Sequence, residues 1–160
     1  MMGKTWVKFC GFTRPDDVEA ACELGVDAIG LNIWPRSKRS VSLEQAARLT
    51  ALVGGRAEVI LVTVDSQEAE LREALSCTGA DAVQLHGDEP QALLQSLGET
   101  VAFKALGLQD AQDVERALAW PGYRILIDVH DPALRGGTGR RLSVELAAPV
   151  IAAQIGRAHV

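Results

Sequence analysis

Leu126-Ile127-Asp128-Val129 is a short apolar run interrupted by a carboxylate, and Gly136-Gly137-Thr138-Gly139 follows it closely. An acid on a rigid strand end, beneath a glycine-rich loop able to close over it, is well placed to donate a proton. Val7-Lys8-Phe9-Cys10-Gly11 is a second run of this kind, ending in a thiol. A thiol and a carboxylate on two strand ends suggest a base and an acid facing one pocket. Lys8 and Cys10, two residues apart, share a strand face, and an ammonium beside a thiol favours the thiolate. The same parity puts Gln84 and His86 on one face, aimed at the same interior. Cys22 and Cys77 fall in helical patterns and read as packing residues, while His130 and Asp131 read as loop residues. No His/Cys/Asp set has metal-ligand spacing, so no zinc site is expected. Gly136–Gly139 is neither a Walker loop nor a dinucleotide fingerprint.

Such groups need rigid elements to hold them. Short apolar runs at 6–10, 28–33, 59–64, 82–85, 101–106 and 124–128 read as parallel strands buried on both faces. Helical patterns lie between and after them, at 16–24, 43–53, 67–78, 90–97, 111–119 and 143–154, the last weakened by Pro149. Thr13 ahead of Pro15, and Ser42 three residues before Gln45, are helix-start signals.

An internal repeat sharpens the pattern. Leu24-Gly25-Val26-Asp27-Ala28 is echoed by Thr78-Gly79-Ala80-Asp81-Ala82 at an offset of 54 residues. Two βα units fit that offset, about 27 residues each, so eight units need roughly 216 residues, near the size of a small (β/α)8 barrel. A doubly wound open sheet uses the same units. Cys10-Gly11, Asn32, Asp65, His86-Gly87, Gly107 and Asp128 put polar or glycine residues at all six strand ends, which favours a barrel mouth over one or two switch-point strands.

With 160 residues, 48% of them hydrophobic and 23% charged, the chain reads as one globular domain. Its net charge of −5, with no basic run, argues against nucleic acid as a partner. No apolar stretch approaches the roughly 20 residues a membrane span needs. Three cysteines and an N-terminus without a signal-peptide core point to a reducing cytoplasm.

Lys8-Phe9-Cys10-Gly11-Phe12-Thr13 resembles the K-I-C-G-I-T opening of the phosphoribosylanthranilate isomerases of tryptophan biosynthesis. Residues 35–42 are similar to that family's P-x-S-x-R-x-V-S segment, and Gln84-Leu85-His86-Gly87-Asp88-Glu89 to its Q-L-H-G-D-E. Asp128 and Gly136–Gly139 match its strand-six acid and loop. The resemblance implies a (β/α)8 TIM-barrel family, with about six of the eight βα units in this chain. It also implies an Amadori rearrangement of N-(5-phosphoribosyl)anthranilate, a small phosphosugar substrate. In that reaction Asp128 is the general acid and Cys10 the general base. Arg39 binds the anthranilate carboxylate, Gln84 and His86 line the site, and Gly137 lies in the loop that closes over the substrate. The substrate's own iminium is the electron sink, so no cofactor is implied.

Strands seven and eight, whose loops bind the substrate phosphate in that family, are missing. Residues 1–154 accordingly read as a single incomplete (β/α) barrel domain, with self-association expected through its open edges. Residues 155–160 read as a non-native tail, since one frame of a common sequencing adapter encodes Ile155-Gly156-Arg157-Ala158-His159-Val160. Two other readings are an inactive fragment or binding module of the same family, and another phosphosugar barrel enzyme such as indole-glycerol-phosphate synthase. The latter would want a Lys/Glu set where Cys10 stands.

Overall fold

The computed structural model describes residues 5–121, 124–129 and 143–153. Strand and helix alternate: β1 (Lys8–Cys10), α1 (Pro15–Glu23), β2 (Ala28–Asn32), α2 (Leu43–Val53), β3 (Glu58–Thr63) and α3 (Glu68–Thr78). They continue as β4 (Ala82–Leu85), α4 (Gln91–Leu97), β5 (Ala102–Leu108), α5 (Ala111–Ala119), β6 (Ile125–Val129) and α6 (Val144–Ala153). The six strands form one sheet in the order β1-β2-β3-β4-β5-β6, and every neighbouring pair is parallel. Doubly wound sheets return to their centre and break this consecutive order. A barrel wall requires it.

The apolar residues divide between two layers, as alternation along each strand demands. Ile29, Leu31, Leu61, Leu85 and Leu106 pack with the helix residues Val18, Leu49, Leu71, Leu94 and Val114. Ala28, Ile60, Ala82 and Phe103 form a separate cluster, with Trp6 and Leu126 against it. The sheet is therefore curled, with helices outside and the small cluster in the lumen. At the N-terminal end of the lumen Arg124, just before β6, donates from both terminal nitrogens to Glu58 at the start of β3, at 2.9 and 2.7 Å. Its guanidinium carbon lies 4.2 Å from the Phe103 ring centroid and 5.5 Å from that of Trp6. This cross-lumen tie seals the base with a cation layered on aromatic rings.

The sequence repeat has a structural counterpart. Gly25 and Gly79 take left-handed φ values of 73° and 68° at the ends of α1 and α3. The aspartate two residues later then ties back to an earlier strand. Asp27 accepts from Val7 N at 2.9 Å, and Asp81 from Val59 N at 2.7 Å. Helix starts follow the signals unevenly. Ser42 caps α2 by accepting from Gln45 N at 3.1 Å, but Gln45 Nε2 reaches Thr13 O at 2.8 Å instead of completing a capping box. Thr13 does not cap α1. Arg14 is the N-cap without a side-chain bond, because Pro15 already presets the first helical φ. Pro149 lies within α6, which runs on through it. Cys22 packs against the core as expected, whereas Cys77 is exposed, since α3 buries the face of Leu71, Ala74 and Thr78. Within the described sheet β1 and β6 are the outermost strands, and Val7 and Phe9 beside that first edge are exposed.

Candidate active site

Three inward positions on β4 and β6, or at their C-terminal ends, join with two on β1 and with Arg39 after β2 to build the site. Lys8 and Cys10 occupy alternate positions of β1, with Gly30 in register opposite Cys10. The Cys10 thiol lies over Gly30, where any Cβ would come within 2.6 Å of Sγ, so only glycine leaves room there. Arg39, on the segment after β2, returns to the same corner. Its guanidinium donates to Cys10 O at 2.8 Å and covers Gly11, where a Cβ would collide with it. Ser37 Oγ accepts from Arg39 N at 3.2 Å and helps fix this turn.

From Lys8 a row of donors crosses the lumen. Lys8 Nζ donates to Gln84 Oε1 at 3.0 Å, and Gln84 Nε2 approaches His86 Nδ1 at 3.5 Å. His86 Nε2 stands 3.5 Å from Asp128 Oδ2. An amide nitrogen facing Nδ1 makes that atom the acceptor, which places the imidazole proton on Nε2, toward the carboxylate. Every donor in the row then points from the ammonium to Asp128. Burial holds the His86 imidazole below its ordinary pKa, against the opposing pull of Asp128. At neutral pH the ring is an uncharged donor facing Asp128, whose side chain is 30% exposed. Gly107, in register with Asp128, carries no side chain beside it.

Cys10, Gln84, His86, Asp128 and Arg39 thus gather at the C-terminal ends of the strands, where barrel sites are built. Gly137 and its loop, His130, Asp131 and residues 155–160 lie outside the described residues. Two other strand-end polar groups serve the backbone. Asn32 Oδ1 accepts from Trp34 N at 2.9 Å, and Asp65, at a left-handed φ of 54°, accepts from Asp88 N at 2.6 Å. Sequence reasoning gave no role to Lys104 or Glu89, a buried pair directly behind His86 at 2.6 Å. A lysine inside the apolar run 101–106 was the available signal. Among the described residues, no group of His, Cys, Asp and Glu could hold a metal ion, and no helix is long and apolar enough to cross a membrane.

Residues 7–156 match the family model for N-(5'-phosphoribosyl)anthranilate (PRA) isomerase. The N-(5'-phosphoribosyl)anthranilate isomerase of Rhizobium meliloti (strain 1021) is 38% identical over 144 residues, covering 85% of this chain and 67% of that protein. The crystal structure of phosphoribosyl anthranilate isomerase from Thermotoga maritima superimposes with a TM-score of 0.85 at 32% identity, over 94% of this chain and 73% of that one. A crystal structure of the isomerase in complex with reduced 1-(o-carboxyphenylamino)-1-deoxyribulose 5-phosphate gives a TM-score of 0.75 at 34% identity, over 80% of this chain and 66% of the other. The chain spans roughly two thirds to three quarters of the length of these three proteins.

Proposed function

The chain belongs to the phosphoribosylanthranilate isomerase family, and from that premise we propose that it supplies the acid–base face of this isomerase in tryptophan biosynthesis. The reaction is the Amadori rearrangement of N-(5-phosphoribosyl)anthranilate to 1-(2-carboxyphenylamino)-1-deoxyribulose 5-phosphate. The observation that carries the reading is the donor row from Lys8 through Gln84 and His86 to Asp128, with Cys10 on the far strand of the sheet. Asp128 protonates the furanose ring oxygen as the ring opens to a Schiff base. Cys10 removes the C2′ proton, and the resulting enolamine tautomerises to the ketone. One group gives a proton and the other takes one, each from a different wall of the lumen. Arg39, beside Cys10, binds the anthranilate carboxylate, for which a guanidinium fork is suited. Gln84 and His86 line the site, and the segment with Gly137 covers the substrate and excludes water.

The same reading places the protein in the cytoplasm. Among the described residues β1 and β6 each pair on one side only, and such edges favour self-association, since an open strand edge templates further pairing. Loss of phosphoribosylanthranilate fluorescence under saturating substrate tests the activity. Turnover of roughly 1 per second or faster is expected of the protein's full chain. Its absence there would overturn the assignment. Sedimentation tests the edges, and a lone monomer would refute self-association.

A further inference from the structure

Behind the mouth lies a charged pair that the chemistry above does not use. β5 is apolar except at Lys104, and alternation turns Lys104 away from the lumen, toward the helix layer that holds Ala102, Leu106 and Leu108. An ammonium there is unfavourable unless it is paired and fully hydrogen-bonded. Its Nζ lies 2.6 Å from Glu89 Oε2, with 4% and 1% of the two side chains exposed. The partners extend along the backbone. Lys104 Nζ also donates to Leu85 O at 3.3 Å and to Gly87 O. Glu89 accepts from Gly87 N through Oε2 and from Asp65 N through Oε1, both at 2.9 Å. The carbonyl of the residue before His86, and both backbone groups of the residue after it, are thereby held from the helix side. His86 itself points the opposite way, to Gln84 and Asp128.

Two apolar side chains would fill this layer with less desolvation penalty. They could not fix the peptide groups that flank His86. We propose that the Lys104–Glu89 pair is a positioning device, which clamps the backbone on both sides of His86 and so aims its imidazole at Asp128. The proposal rests on Asp128 being the acid of the isomerisation. Lys104 and Glu89 touch no substrate in it and act only through His86.

The test is Lys104→Met combined with Glu89→Leu in the full chain, which removes both charges and leaves neither buried alone. The melting temperature should stay close to the parent's. The parent should show His86 with its proton on Nε2 in imidazole nitrogen NMR shifts, and the double variant should show mixed tautomers. Its kcat should fall at least about 10-fold with KM unchanged, since small misplacements of catalytic groups are costly in rate. Should the double variant not fold, Glu89→Gln, equal in size, is read the same way. A folded variant that keeps either the parent tautomer or the parent kcat overturns the clamp, provided Asp128→Asn abolishes turnover in the same assay. If Asp128→Asn is fully active, the acid assignment has failed instead, and the tautomer alone decides whether the pair aims His86.

Discussion

At the base of the lumen Arg124 meets Glu58 through two short bonds and stacks between Phe103 and Trp6. At the mouth His86 and Asp128 stand 3.5 Å apart, and Gln84 and His86 do the same. Both ends place a cation and a carboxylate across the sheet with aromatic or amide groups between. The base makes two short bonds and lays its guanidinium on both rings. The mouth spaces its groups more widely, keeps the Asp128 side chain 30% exposed and leaves Gly30 and Gly107 without side chains beside Cys10 and Asp128. Short bidentate pairing favours rigidity at one end, and wider spacing leaves room at the other.

Substitutions at the two ends should therefore fail in different measurements. Cys10→Ala and Asp128→Asn should each lower kcat of the full chain by about 10²-fold or more, with KM and the melting temperature little changed. A large drop in stability instead would make the mouth as structural as the base. Arg124→Ala should do the reverse and remove about 2 kcal/mol of stability in urea titrations, because Glu58 stays half-buried without its partner. Turnover per folded molecule should hold, and a comparable loss of kcat would erase the distinction. Arg39→Ala lies between the two. KM should rise roughly 10-fold, the scale of one charge-assisted contact, with kcat less affected and Arg39→Lys only partly corrective. An equal effect on a substrate analogue without the carboxylate would refute that role.

The smallest effect is in pH dependence, and the two ends should oppose each other. His86 is held below its ordinary 6.5 by burial, so its contribution to stability is present above pH 6.5 and is lost as pH falls through the lowered value. Burial raises Glu58 above 4.5, against Arg124, so its contribution is present below pH 4.5 and is lost as pH rises through the raised value. Stability measured against pH should lose its rising component in His86→Gln and its falling component in Glu58→Gln. If either variant left the profile unchanged, that end would not be coupled to protonation.

Much of this is legible in the sequence. Period and punctuation located all six strands and all six helices, because parallel strands in a barrel wall are short, apolar and evenly spaced. The Gly-Asp repeat marked both the helix end and the strand start, since its glycine and its aspartate act within a single βα unit or on the strand just before it. Parity puts Lys8 with Cys10 and Gln84 with His86 on shared faces, and Asp128 is marked by its place as a carboxylate at a strand end. What sequence could not show were partnerships made by curvature. Arg124 and Glu58 are 66 residues apart and Lys8 and Gln84 are 76 apart, on strands that do not pair with each other. Lys104 passes unremarked inside the apolar run 101–106, and its partner Glu89 is visible only as part of a motif. Asp65 looked like one more group at the mouth, and only its backbone conformation shows that it braces a neighbouring turn.

The consecutive strand order also bears on how the molecule is made. Each strand meets its sheet neighbours one βα unit away along the chain, so every pairing in the described wall spans only one such unit, although parallel pairing is intrinsically slow. Ties across the lumen join more distant parts of the chain, and closing those longer loops adds a modest entropic term. Curvature is what brings side chains on non-neighbouring strands, Lys8 and Gln84 among them, within bonding distance of one another.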